Sequence, residues 1–162
     1  MSNDAEVPEL GTLLQLSNEM GRVYKEQRSS SGGPTRVRTE FASADVILVV
    51  LENSFTQAER ALVAMGEHER LRDNRTFLQY ATVTEFCTPV ERITGRTVRA
   101  FISGVDTVED VSVEMFVLHP EGSTAPSRMV RGSTCRAARA TPPRASRAAG
   151  APAPPASRRP GR

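Results

Sequence analysis

The stretch DVILVVLENSFTQAERAL, residues 45–62, decides the fold. Val46–Leu51 is an unbroken apolar run of strand length, so both faces of that strand need cover. Thr56 followed three residues later by Glu59 makes a capping box, in which the hydroxyl accepts from the backbone at Glu59 and the carboxylate reaches back. A helix is therefore expected to start at Gln57. No glycine separates strand from helix, so backbone N–H groups could not crowd around a phosphate there, and the junction reads as a capped turn.

Working outward, Leu10, Leu13, Leu14, Met20, Val23 and Tyr24 share a helical stripe over residues 9–27. From Thr35 the period becomes two: Val37, Thr39 and Phe41 alternate with Arg36, Arg38 and Glu40, and a short turn over 42–45 leads into the apolar strand. Gly66 ends the capped helix. A longer helix is expected over 69–93, with Leu71, Leu78, Phe86, Val90 and Ile93 inward, a kink at Pro89 and a left-handed cap at Gly95. Two further strands, about 97–103 and 111–118, flank the polar hairpin loop GVDTVED. The order helix, hairpin, helices, hairpin predicts an α+β fold: a four-stranded antiparallel sheet from two hairpins, with the helices packed on one face. The domain is expected over residues 9–120, after a flexible N-terminus of 1–8 and before a disordered tail of 121–162.

Phe101, Phe116 and Leu118 fall on the opposite face of their strands from Val98, Ile102, Val113, Met115 and Val117, so both faces of the second hairpin are apolar. A second copy of the chain is the expected cover for the face the helices leave bare, with Phe101 and Phe116 near the centre of that dimer and Leu118 beside them. One helix crossing to the far side is the alternative.

Charge divides the chain. The first 121 residues hold all 19 acidic side chains against 12 basic ones, a net −7, and the last 41 carry +9. No apolar run approaches the roughly 18 residues of a membrane span, and MSNDAEVPEL lacks a leader pattern, so a soluble cytoplasmic protein is expected. Cys87 and Cys135 form neither a disulfide framework nor a metal spacing, and His68 and His119 lie too far apart for a zinc motif. Asp106, Glu109 and Asp110 lack the alternating ligands and central glycine of a calcium loop. With no nucleophile elbow either, the expectation is no enzyme and no cofactor. The tail from Ser127 is rich in Arg, Ala and Pro and lacks the apolar residues to build a core. Three readings stay open for it: weak, salt-sensitive binding of nucleic acid, a solvated appendage, or an out-of-frame read through a GC-rich gene.

GGPTRVRTEF, DVILVVLENSFTQAERAL, FCTPVERITGRTV and AFISGVDTVEDVSVEMFVLHP, in this order and spacing, resemble the MpsC-like family. This is a small bacterial domain, the C component of a sodium-translocating, membrane-potential-generating system. The likeness spans residues 13–120 and rests on Thr56 and Glu59, on Thr94, Gly95 and Arg96, and on the closing Phe116 to Pro120. It implies a non-enzymatic subunit or regulator that works through protein–protein contact with a membrane complex handling cations or bicarbonate, in the cytoplasm or peripherally at the inner face of the membrane. It transfers no catalytic residues.

Overall fold

The computed structural model describes residues 10–27 and 33–129. The readings made for 1–8 and for the arginine-rich part of the tail lie outside these residues. Helix α1 (Leu10–Gln27) precedes the strands β1 (Arg36–Ser43) and β2 (Val46–Glu52); helices α2 (Gln57–Ala64), α3 (His68–Ala81) and α4 (Val83–Thr94) follow, and β3 (Val98–Asp106) and β4 (Val111–Leu118) close the order. The strands form one antiparallel sheet in the order β1-β2-β4-β3. The two hairpins that the alternation of strands and helices predicts are thus joined through a central β2–β4 seam.

The helices cover one sheet face. Ile47, Val49 and Leu51 of β2 and Phe116 and Leu118 of β4 point into a core completed by Leu16, Met20, Val23, Tyr24, Phe86 and Val90. Aromatic rings form its centre. Phe86 stacks on Phe101 with centroids 5.5 Å apart, Tyr24 meets Phe86 edge-on at 5.7 Å, and Phe101 lies 5.2 Å from Phe116. This corrects the expected faces. Phe101, Phe116 and Leu118 do not look outward to a second copy; all three are buried against the helices. The bare face belongs to Val113, Met115 and Val117 instead. Val98 joins Phe101 on the core side because the β3–β4 register shifts between Val98 and Ala100, and such an irregularity reverses the alternation that a regular strand would keep.

The capping box is formed: Glu59 N donates to Thr56 Oγ1 at 3.2 Å and Thr56 N to Glu59 Oε2 at 2.7 Å. The single helix expected over 69–93 is two. Its break falls at Thr82, while α4 runs on through Pro89 and ends at Gly95 in the left-handed region (φ 67°). Thr82 competes for its own helix: its hydroxyl donates to Leu78 O at 2.9 Å and accepts from Gln27 Nε2 at 2.9 Å. Leu78, expected inward, is 54% exposed, because the inward stripe of α3 runs through Leu71, Arg75 and Gln79.

Packing continues beyond the expected boundary at residue 120. Thr97 Oγ1 donates to Ala125 O at 3.0 Å, Ser127 is buried, the Arg128 guanidinium lies 5.5 Å from the Tyr80 ring centre and Met129 rests against the core. The segment after β4 folds back along β3 and α4, where even short apolar contacts find cover.

Because Phe116 is fully buried in the core against the Phe101 ring, Phe116→Ala is expected to destabilise the fold by about 3–5 kcal/mol. Urea unfolding followed by circular dichroism measures it; a loss under about 1 kcal/mol would place Phe116 outside the core.

Candidate functional site

The alternation of β4 that buries Phe116 and Leu118 also buries Ser112 and Glu114, so two polar side chains enter the helix layer. Two polar residues of α3 meet them there. Arg75 and Gln79 are one helical turn apart, about 6 Å along the axis, and Ser112 and Glu114 are two strand residues apart, about 6.7 Å. The pitches match. Arg75 Nη1 donates to Ser112 Oγ at 2.7 Å and to Ser54 Oγ at 3.1 Å, Nη2 donates to Ser54 O at 3.1 Å, and Nε donates to Glu59 Oε1 at 2.9 Å. Nη2 also reaches Glu59 Oε2 at 3.2 Å, which makes the carboxylate contact bidentate, and the guanidinium carbon lies 4.7 Å from the Phe55 ring centre. One buried cation thereby ties α3 to the cap of α2, the loop after β2 and the strand β4.

Gln79 repeats the arrangement one turn on. Its Nε2 donates to Glu114 Oε1 at 2.6 Å and to the Tyr24 hydroxyl at 2.8 Å, the Tyr24 hydroxyl donates to Glu114 Oε1, and Ser103 Oγ donates to Gln79 Oε1. The four residues of this cluster come from α1, α3, β3 and β4. Above this network opens a cleft of about 680 Å³ between the end of α1 and the α2–α4 layer, with Glu26, Glu59 and Glu85 among its walls and Arg75 and Gln79 at its base. Each of these two buried donors is engaged with neighbouring protein groups, so the network ties the helix layer to the sheet. Among the described residues no group of three or more His, Cys, Asp or Glu could hold a metal ion.

The motif positions Thr94, Gly95 and Arg96 form a joint. Gly95 takes the positive φ, Thr94 Oγ1 donates to Val90 O at 2.8 Å, and Arg96 Nη1 donates to Ala44 O at 2.7 Å. Arg96 also donates through Nε to His119 O at 3.0 Å and through Nη2 to Asp45. It pins the β1–β2 turn to the end of β4. The acidic hairpin tip is likewise structural: Asp106 Oδ1 accepts from Val108 N and Glu109 N at 2.8 and 2.9 Å, which holds its carboxyl below the usual range. Asp110 accepts from Ser54 N at 2.8 Å and from Phe55 N at 3.1 Å, and His68 Nδ1 is 2.9 Å from Thr107 Oγ1.

The opposite sheet face has a different character. The register sets its outward residues in four rows across β1, β2, β4 and β3. Val46, Val117 and Ala100 make the first, Glu40, Leu48, Met115 and Ile102 the second, Arg38, Val50, Val113 and Gly104 the third, and Arg36, Glu52, Val111 and Asp106 the last. The two central strands present aliphatic side chains in a continuous field, and Ile102 beside them is 50% exposed. Charge is confined to the β1 margin and the last row, where Arg38 donates to Glu52 at 2.8 Å and Arg36 lies 3.9 Å from the same carboxylate.

A family profile described as Na+-translocating membrane potential-generating system (MpsC) matches residues 13–120. The chain belongs to the MpsC family. No curated protein and no solved structure matches it. The MpsC match runs from within α1 to just beyond β4, so it takes in the Arg75 network, the Arg96 joint and the whole sheet. No helix among the described residues of this MpsC domain is long and apolar enough to cross a membrane.

Arg75→Ala leaves Glu59, Ser54 and Ser112 without their central donor and is expected to cost about 3–5 kcal/mol, read by denaturant unfolding. A loss below about 1 kcal/mol would mean that the cluster is not what holds α3 to the sheet. Cys87 offers a second check. Burial, followed by the nearby Glu91 charge, pushes its thiol up to about 12. In a Cys135→Ser background Cys87 should therefore resist alkylation at pH 8 until the chain unfolds; fast reaction in the folded protein would contradict that burial.

Proposed function

We propose that this MpsC chain is a non-enzymatic subunit or regulator of a sodium-translocating, membrane-potential-generating system and that it works by protein–protein contact through the bare sheet face. The observation that carries the reading is the aliphatic field of Val46, Leu48, Val50, Val113, Met115 and Val117, left by helices that all pack on the other side. A contiguous apolar surface bounded by charge is the usual composition of a contact site, with a dry centre and a wet rim. The family description names the membrane system. The buried network contributes rigidity: it fixes β4, the strand that carries half of the field, against α3.

Met115→Glu places a carboxylate at the centre of this face without touching the core. A charge there should cost about 2 kcal/mol or more of contact energy, about thirtyfold in affinity. In everted membrane vesicles from cells expressing the variant in place of the wild type, the sodium-dependent potential should fall toward background, while the purified variant keeps the wild-type circular dichroism spectrum. An unchanged potential would overturn the assignment of this face.

A further inference from the structure

Resting on that reading of the sheet face, we propose that its partner is a second copy of this chain, stacked face to face about a two-fold axis close to the strand direction. A two-fold axis along the strands carries each row onto itself and exchanges left with right. The aliphatic rows then stay over aliphatic rows: Val46 faces the partner's Val117, Leu48 the partner's Met115, and Val50 the partner's Val113. The alternative two-fold, across the strands, would lay Glu52 on the partner's Val46 and Asp106 on the partner's Ala100. It would carry both acids of the last row over the apolar first row, whereas the axis along the strands keeps them within the charged last row.

In the favoured arrangement the charged β1 margin lies over the partner's β3 edge. In the last two rows Arg36 and Arg38 share the single carboxylate of Glu52, so positive charge is in excess at that corner of the β1 edge. The two-fold brings that corner over the partner's Asp106, an exposed acid at the outward position of the β3 edge. In the third row the arginine finds space. Arg38 faces the partner's Gly104, where an added Cβ would meet nothing within 4 Å, so a long side chain can lie across the notch. In the second row Ile102 meets the methylene stem of the partner's Glu40.

Size sets the strength. Four strands about 4.8 Å apart and about 23 Å long make a face of roughly 450 Å², and stacked sheets pack about 10 Å apart at about −30°. Two such faces bury about 900 Å², below the range of stable specific interfaces and within that of weak, reversible ones, so the association is expected to be no tighter than micromolar.

Sedimentation equilibrium of the full chain from about 1 to 100 µM tests this range. The wild type should pass from monomer to dimer, and Met115→Glu should remain monomeric. The register is tested at Gly104, whose position is open and free of positive φ, so that side chains there leave the protomer intact. Gly104→Lys, opposite the partner's Arg38, should weaken the dimer by about tenfold, and Gly104→Glu should tighten it. Arg38→Glu combined with Gly104→Lys should recover the loss. A wild type that stays monomeric, a dimer indifferent to Met115→Glu, or Gly104 variants that shift association in the same direction would each overturn the proposal. A monomeric wild type whose Met115→Glu variant still loses the sodium-dependent potential would leave the face as a contact site for a different chain, so the two readings fail separately.

Discussion

A guanidinium withdrawn from water demands an acceptor for nearly every N–H, and the demand made by Arg75 organises the fold. Its acceptors come from the loop after β2, the capping residue of α2 and the middle of β4. None of these segments can shift alone without stranding a buried charge. Glu59 answers two demands at once, closing the first turn of α2 and balancing Arg75, so the local capping signal and the long-range ion pair share one carboxylate. The Gln79, Tyr24 and Glu114 contacts extend the same lattice toward α1. The helix layer is thereby keyed to the sheet in one register, a specificity that apolar contacts alone supply less sharply.

The elements were legible where a local rule acts within a few residues: the alternation of β1, the capping box of α2 and the glycine after α4 all predict what the chain does. The sheet faces were not. In VSVEMFVL the residues Val111, Val113, Met115 and Val117 form the cleaner apolar face, and a hydrophobic pattern read alone sends them inward. The structure does the reverse, because Ser112 and Glu114 find buried partners that belong to α3, far away in sequence. A signal did exist: Arg75 and Gln79 continue the helical stripe of Leu71, at a pitch that suits two alternate strand residues. The pairing needs both elements in view, as does the break at Thr82, which depends on Gln27 of α1. Pro89 lies within α4, which continues through it, and the chain breaks seven residues earlier at Thr82.

An edge strand can recruit another chain through its free backbone groups, and both edges here are guarded against it. β1 carries Arg36, Arg38 and Glu40 on its outer side, and β3 is irregular between Val98 and Ala100. Association is directed away from the edges, onto the face where side chains, and with them residue identity, decide what fits.

The strand order has a consequence for how the chain reaches this state. Each hairpin is local, and each can form within its own stretch of chain, but the seam between β2 and β4 pairs Val46 with Val117 and Glu52 with Val111. About sixty residues, including α2, α3 and α4, lie within that loop, so its closure entropy is met before the seam returns any energy. On loop-closure grounds the hairpins are expected to form before the seam. Its closing unites the inward and outward faces together: the core receives its aromatic cluster and the aliphatic field becomes continuous in the same step. A half-closed chain has neither, so the surface for contact exists only in molecules that have finished folding.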